Sequence, residues 1–93
     1  MALTIDHREK ELIRHLKCLS PTVASLAVGD VVCAYGDGIT SWVAERKSAN
    51  DLARSIIDGR LVDQTARLLR SGYSYVFLLV EGAVSYTHLT LPT

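Results

Sequence analysis

Four carboxylates and one lysine have the residue types and spacing that phosphate chemistry requires. The carboxylates fall at the ends of predicted strands, and the lysine follows the last of them by two residues: Asp6, Glu9, Asp30, Glu45 and Lys47. Mg²⁺ and Mn²⁺ prefer hard oxygen ligands such as carboxylates, carbonyls and water. Phosphodiester cleavage also needs a cation that holds the scissile phosphate and stabilises charge developing in the transition state. The set is therefore a candidate for metal-dependent hydrolysis of a phosphodiester.

Strand geometry would bring two of these residues together. Side chains alternate between the faces of a strand, so Glu45 and Lys47 would point to the same side. Arg46 would point to the other side, although its backbone carbonyl can still face a metal. The spacing is weak evidence when taken alone, because Glu-x-Lys triplets arise by chance and Gly-Asp is usually a turn. It favours ordinary solvated surface positions unless a wider pattern supports it.

The elements that must position these residues are predicted from apolar spacing and turn residues, in the order β-α-β-β-β-α-α-β. Their expected ranges are 3–6, 8–19, 22–28, 31–35, 39–44, the segment between Ser48 and Gly59, 61–71 and 76–80. Ser48 is expected to cap its helix, with Asp51 three residues later completing an imperfect capping box. The apolar run 76–80 is typical of a strand in the middle of a sheet that is covered on both faces. The predicted fold class is α/β, a mixed sheet with helices packed against it.

Composition indicates an ordinary small globular domain. The 93 residues are 48% apolar and 22% charged, and ten basic residues balance ten acidic ones. Zero net charge gives no basic footprint for nucleic acid, so any DNA contact must come from local clustering. Cys18 and Cys33 are too few for a disulfide framework and fit no metal spacing, which favours a reducing compartment. No apolar run approaches a membrane span and no signal peptide is evident, so we expect a soluble intracellular protein without membrane contact.

The last ten residues, 84–93, match the translation of one frame of a transposase-type sequencing-library adapter. Ala83 also fits the two adapter bases that precede this frame. We therefore expect one domain over residues 1–83, truncated at its C-terminus, followed by an adapter-derived artefact over 84–93. The tail should pack little against the core. A natural polar tail is the alternative.

A wider set of motifs over residues 3–82 resembles one known nuclease family. The signature of the XPF-type nuclease domain is Gly-Asp followed by Glu-Arg-Lys-x-x-x-Asp, and further elements of the family occur here in the same order. The matching segments are Ile5 to Glu9, Val28 to Asp30, Glu45 to Leu52, Ser55 to Leu61, Gln64, Arg67-Leu68 and Leu79 to Gly82. The chain is most similar to the Mus-type crossover-junction endonucleases. Viral and phage single-chain members share part of the pattern.

The resemblance implies a restriction-endonuclease-like fold and a metal site. Asp30 and Glu45 would be the principal ligands, completed by the carbonyl of Arg46. Asp6, as a further ligand, and Glu9 would bind or orient metal and water.

The remaining assigned residues would support catalysis or contact DNA. Lys47 would position the attacking water or the phosphate. Asp51 would tether Arg46 or Lys47, or serve only as a carboxylate in the first turn of its helix. Arg60 would reach the DNA backbone or an inner carboxylate. Arg67 is assigned to a solvated helix face, with a phosphate contact as the alternative.

The implied activity is metal-dependent, structure-specific cleavage of branched DNA such as 3′-flaps, forks and junctions, in DNA repair and recombination. The cofactor would be Mg²⁺ or Mn²⁺, the partner a second XPF-type subunit in a heterodimer, and the location the nucleus in a eukaryote. The alternatives are a non-catalytic, DNA-binding partner subunit of the same fold and a viral or phage nuclease. A non-catalytic subunit should have lost Asp30, Glu45 or Lys47, and all three are present. Full members of the family continue further and often carry a helix-hairpin-helix module, so this chain alone would bind DNA less well.

Overall fold

The structure is a computed structural model that describes residues 1–82. The strands and helices follow the predicted order, with one additional short 3₁₀ turn, η1. They are β1 (Ala2–Asp6), α1 (Lys10–His15), η1 (Lys17–Leu19), β2 (Thr22–Ala24), β3 (Val31–Ala34), β4 (Ser41–Ser48), α2 (Ala49–Ile57), α3 (Arg60–Leu69) and β5 (Tyr75–Glu81). Within residues 1–82, no helix combines the length and apolar character that crossing a bilayer requires.

The strands form one mixed sheet in the order β2-β1-β3-β4-β5. The two outer pairs, β1 with β2 and β4 with β5, are parallel, and the inner pairs are antiparallel. The C-terminal ends of β1 and β4 and the start of β3 therefore meet at one edge of the sheet. The predicted α/β class with a mixed sheet is confirmed.

The two faces of the sheet are covered by different helices. Cross-strand neighbours share a face, so Ile5, Val31 and Ala44 lie side by side and form a buried core under α1. The opposite face carries Glu45 and lies against α3, whose Leu68 is 4% exposed and lines a cavity with Glu45. The alternation within β4 thus sends Glu45 towards α3 and its neighbour Arg46 towards the α1 side.

Three elements differ most from their predicted ranges, and hydrogen bonds account for part of each difference. The helix predicted over 8–19 begins only at Lys10, because the Arg8 N–H bends back to the Asp6 carboxylate at 3.1 Å. Strand β2 ends at Ala24 because the Leu26 N–H also donates to that carboxylate, at 2.9 Å. Strand β4 runs on to Ser48 because its second half pairs with β5.

The prediction that β5 is a central strand covered on both faces is wrong for residues 1–82. In this part of the chain β5 lies at the edge of the sheet, and both of its faces are partly open. Phe77 is 49% exposed and Leu78 is 40% exposed. A continuous apolar run indicates a strand but does not fix its place in the sheet.

Candidate active site

The Gly29-Asp30 pair is fixed by a close approach of two strands. Gly29 has φ +76°, and a Cβ at this position would lie 2.2 Å from Cγ2 of the fully buried Val43. Only glycine fits here without displacing the core. The Asp30 N–H then donates to the Ala44 carbonyl at 2.9 Å, and the Asp30 carbonyl accepts from the Asp6 N–H at 2.8 Å. Asp30 is therefore locked between β1 and β4.

The side chains of Asp30 and Glu45 line the same cavity, which has a volume of about 230 Å³. We call it the Asp30–Glu45 cavity. Its other polar lining residues are Arg8, Gln64 and Arg67. The Asp30 Oδ2 atom also accepts a hydrogen bond of 2.8 Å from the Arg46 N–H, which ties it to the strand of Glu45. The two carboxylates predicted as principal ligands therefore lie on the same side of the sheet.

Both carboxylates of this cavity resist ionisation. Burial raises the pKa of Asp30, and the negative charges of Glu9 and Asp6 add to the effect. Burial also raises the pKa of Glu45, the charge of Asp30 adds to it, and Lys47 and Arg67 act in the opposite direction. Such shifts are expected where carboxylates cluster away from water and repel one another. A bound cation would relieve the cost of holding two such charges together.

The chemistry of this donor set fits a Mg²⁺ or Mn²⁺ ion. Among residues 1–82, no cluster of three or more His, Cys, Asp or Glu side chains is placed to bind a metal. Mg²⁺ does not require such a cluster, because it commonly binds through one or two carboxylates together with waters and substrate phosphates. The backbone carbonyl of Arg46 offers a further oxygen ligand. The N–H and C=O of one strand residue point to the same side of the strand, so the Arg46 carbonyl faces the side of Asp30.

The structure places Asp6 outside the cavity that Asp30 and Glu45 line, and its predicted role as a metal ligand stays a prediction. Its side chain is 0% exposed and does not line the Asp30–Glu45 cavity. Oδ1 accepts from the Leu26 N–H, and Oδ2 accepts from the Arg8 backbone at 3.1 Å and from Arg8 Nε at 2.7 Å. Arg8 and these N–H groups hold the pKa of Asp6 well below its usual range. Asp6 thus fixes the end of β1 and aims Arg8, with both oxygens already engaged.

Glu9 also lies outside this cavity, and its predicted role in binding or orienting metal and water stays a prediction. It receives a 2.8 Å hydrogen bond from Arg46 Nη1, on the α1 side of the sheet. Arg46 Nη2 donates to Glu81 Oε2 at 3.0 Å, and Arg46 Nε bonds the same carboxylate. Glu81 and Glu9 raise the pKa of the guanidinium, and Arg46 lowers the pKa of Glu81. Glu9 therefore acts on the cavity through its charge, which raises the pKa of Asp30, while its oxygen binds Arg46.

Lys47 does not line the cavity itself and is linked to it through a residue of α3. Its Nζ donates to Gln64 Oε1 at 2.7 Å, and Gln64 lines the Asp30–Glu45 cavity. Gln64 and Arg67 belong to the family motif, but neither was predicted to be a residue of the metal site. Their separation of three residues was an available signal, since it places them on one face of a helix.

The contacts of Asp51 in α2 and Arg60 in α3 differ from those expected, whereas the cap of α2 is as predicted. Ser48 Oγ accepts from the Asp51 N–H at 3.1 Å, which confirms the predicted cap. The Asp51 carboxylate lies 3.7 Å from Arg54 in the first turn of α2, where the helix dipole favours it. Arg46 and Lys47 bond other side chains, and the predicted tether from Asp51 to either of them stays a prediction. Arg60 pairs with exposed Asp58 at 3.1 Å rather than with an inner carboxylate. Its contact with DNA stays a prediction.

Comparisons with known proteins show which proteins the chain is similar to. Residues 5–91 match the model of the ERCC4 domain. The chain is 37% identical over 91 residues to "Crossover junction endonuclease mus81" of Emericella nidulans, covering 82% of this chain and 13% of that protein. It is 38% identical over 95 residues to human "Structure-specific endonuclease subunit MUS81", covering 88% of this chain and 17% of that protein.

A solved structure is similar in fold as well as in sequence. XPF from Aeropyrum pernix in complex with DNA has a TM-score of 0.70 and 34% identity, and the match covers 88% of this chain and 40% of that one. The match to the domain model includes most of residues 84–93, which lie outside the described residues. The adapter interpretation of that segment, and its expected lack of packing, stay predictions.

Proposed function

Because this chain belongs to the ERCC4 domain family, we propose that it carries the catalytic centre of a metal-dependent, structure-specific DNA endonuclease. The observation that supports this most strongly is the pairing of Asp30 and Glu45 in one cavity, with Lys47 linked to it through Gln64. The names of two relatives, a crossover junction endonuclease and a structure-specific endonuclease subunit, point to the same activity. The similar structure that contains DNA supports the substrate class.

The proposed ligands are the carboxylates of Asp30 and Glu45 with the carbonyl of Arg46. Asp30 is held ready by its backbone bonds and by the Arg46 N–H, so little reorganisation is needed on binding. When bound, Mg²⁺ or Mn²⁺ supplies Lewis-acid polarisation of the scissile phosphate. The raised pKa values of both carboxyls mean that the cation competes with protons for this site.

The cationic side chains around the cavity are proposed to bind the DNA phosphates and to stabilise the charge that develops during cleavage. Lys47 stabilises the charge that develops on the phosphate or orients the attacking water. Arg8, aimed by Asp6, and Arg67 on α3 line the same cavity and supply positive charge to neighbouring DNA phosphates. These local cations compensate for the absence of a net basic charge.

The biological setting is proposed from the same relatives. The name "crossover junction endonuclease" supports a role in DNA recombination, and the word "subunit" supports a partner chain. We propose that this partner has the same fold, that the role includes DNA repair, and that the location is the nucleus where the source is a eukaryote. The alternative of a non-catalytic partner subunit is disfavoured because Asp30, Glu45 and Lys47 are present, the two carboxylates in one cavity and the lysine linked to it. A viral or phage nuclease of this family would use the same site.

The test is a pair of assays on one labelled 3′-flap DNA, with Mg²⁺ present. Asp30→Asn and Glu45→Gln should slow nicking by at least about a hundredfold, since each removes a charged ligand from the site. A gel shift should show DNA binding within about twofold of the native chain, because affinity depends mainly on cations that contact phosphates.

The matched control is Asp63→Asn, which removes an exposed carboxylate from α3. It should leave both assays unchanged. Full cleavage by Glu45→Gln, or no Mg²⁺-dependent nicking by the native chain, would overturn the proposal.

A further inference from the structure

We propose that Gln64 is a positioning residue that holds the ammonium group of Lys47 at the edge of the Asp30–Glu45 cavity. The inference rests on the proposed function and extends it to a residue on a different element. The carrying observation is the 2.7 Å hydrogen bond from Lys47 Nζ to Gln64 Oε1. Both side chains are half-buried, so the contact is partly shielded from water.

Lys47 needs such a partner because of where β4 places it. Glu45 and Lys47 are two residues apart on one strand face, so a lysine without a fixed partner would be drawn to the Glu45 carboxylate. That ion pair would occupy a proposed metal ligand and neutralise the cation intended for the phosphate. The neutral amide oxygen of Gln64 accepts a hydrogen bond from the ammonium group and leaves its charge available.

The position of Gln64 is fixed by the packing of α3. Leu68 lies one turn further along the same helix face and is 4% exposed. Gln64 and Leu68 both line the Asp30–Glu45 cavity and also a second cavity of about 170 Å³ that Glu45 borders. The amide is therefore presented from a rigid element, whereas the four-carbon chain of lysine is flexible by itself.

The first test separates the acceptor atom from the rest of the side chain. Gln64→Met keeps the length and the helix preference but removes the acceptor, and Gln64→Glu restores an acceptor oxygen. Under single-turnover conditions on a labelled 3′-flap, Gln64→Met should nick about tenfold more slowly, in line with the loss of one charge-assisted hydrogen bond. Its DNA affinity by gel shift should be unchanged. Gln64→Glu should also be slow, because its carboxylate would pair with the ammonium group and neutralise the charge that the neutral amide leaves available.

The second test does not depend on activity. In the 93-residue chain, the ¹⁵N–¹H signal of the Lys47 ammonium, assigned by its loss in Lys47→Arg, should be protected from hydrogen exchange. That protection should disappear in Gln64→Met and persist in Asp63→Asn. If native and variant chains all failed to nick, the proposed function would fail, and the ammonium signal would still decide the role of Gln64.

Three results would overturn the inference. The first is equal protection of the Lys47 ammonium in the native chain and in Gln64→Met. The second is a loss in Gln64→Met that appears in DNA affinity and not in the rate constant, which would make Gln64 a DNA contact. The third is a Gln64→Glu chain as fast as the native chain, because the neutrality of the acceptor would then not matter.

Discussion

The carboxylate of Asp30 accepts a 2.8 Å hydrogen bond from the backbone N–H of Arg46, the residue that follows Glu45. The loop before β3 is thereby fastened to β4 at the point where the proposed ligands meet. Since the Asp30 backbone also bonds Ala44 and Asp6, the residue is held by three hydrogen bonds to two strands, β4 and β1. The site is consequently organised by the protein itself before any metal binds.

Gly29 should be far more sensitive to substitution than another glycine with the same backbone conformation. Gly29→Ala should cost about 2–4 kcal/mol, about 1 from the positive φ and the rest from the clash with Val43. Gly38 has φ +72° and no atom within 4 Å of a built Cβ, so Gly38→Ala should cost only about 1 kcal/mol. Urea unfolding of both variants measures the difference, and equal costs would contradict the close approach.

The acidic pair should destabilise the metal-free fold at neutral pH. Because Asp30 and Glu45 have raised pKa values, the folded state keeps protons that the unfolded chain loses near pH 3.8 and 4.5. The free energy of unfolding therefore falls as pH rises from those values through the raised folded ones. Asp30→Asn and Glu45→Gln should each raise the Tm measured at pH 7 in a chelator.

Asp6→Asn is the matched control for this experiment. The pKa of Asp6 is held low by Arg8, so its charge stabilises the fold above pH 3.8 and that contribution is lost as the pH falls. Asp6→Asn should therefore lower the Tm at pH 7, opposite in sign to the cavity variants. A lower Tm for all three variants would mean that the Asp30 and Glu45 charges stabilise the fold.

Arg46 should matter for stability through its two carboxylate partners. Arg46→Ala should cost about 1–3 kcal/mol, because it leaves Glu9 and Glu81 without their shared cation. Arg46→Lys should recover only part of this, since one ammonium cannot bond two carboxylates as the guanidinium fork does.

Chemical denaturation measures these changes, with Arg54→Ala as control. Arg54 is exposed and lies 3.7 Å from Asp51, so its loss should cost no more than about 0.5 kcal/mol. A cost for Arg46→Ala as small as that for Arg54→Ala would mean that the Glu9–Arg46–Glu81 cluster is only a surface contact.

Local sequence signals predicted the parts of the fold that local forces determine. Ser48 was expected to cap α2 because a serine oxygen can accept a hydrogen bond from a free N–H group in the first turn of a helix. The Asp51 N–H does donate to Ser48 Oγ. The pairing of Asp30 with Glu45 was expected from the family motif together with strand-end placement. In both cases the residues belong to a motif that can be recognised in the sequence, the helix cap at Ser48 and the family signature at Asp30 and Glu45.

Contacts between distant segments were not predictable in the same way. The bond between Lys47 and Gln64 joins β4 to α3, and the carboxylate of Asp6 is saturated by a loop twenty residues away. A single sequence gives the types of such groups but not which donor reaches which acceptor. The place of β5 in the sheet likewise depends on tertiary pairing rather than on its own apolar run.

The most direct test of the central claim, that Asp30 and Glu45 bind a divalent metal, is the position of Mn²⁺ in crystals of this chain. Anomalous diffraction should show one strong peak in the Asp30–Glu45 cavity, within coordination distance of both carboxylates. Crystals of Glu45→Gln grown in the same Mn²⁺ concentration should show that peak greatly weakened. A peak confined to the Glu9–Glu81 side of the sheet, or equal occupancy in Glu45→Gln, would contradict the account.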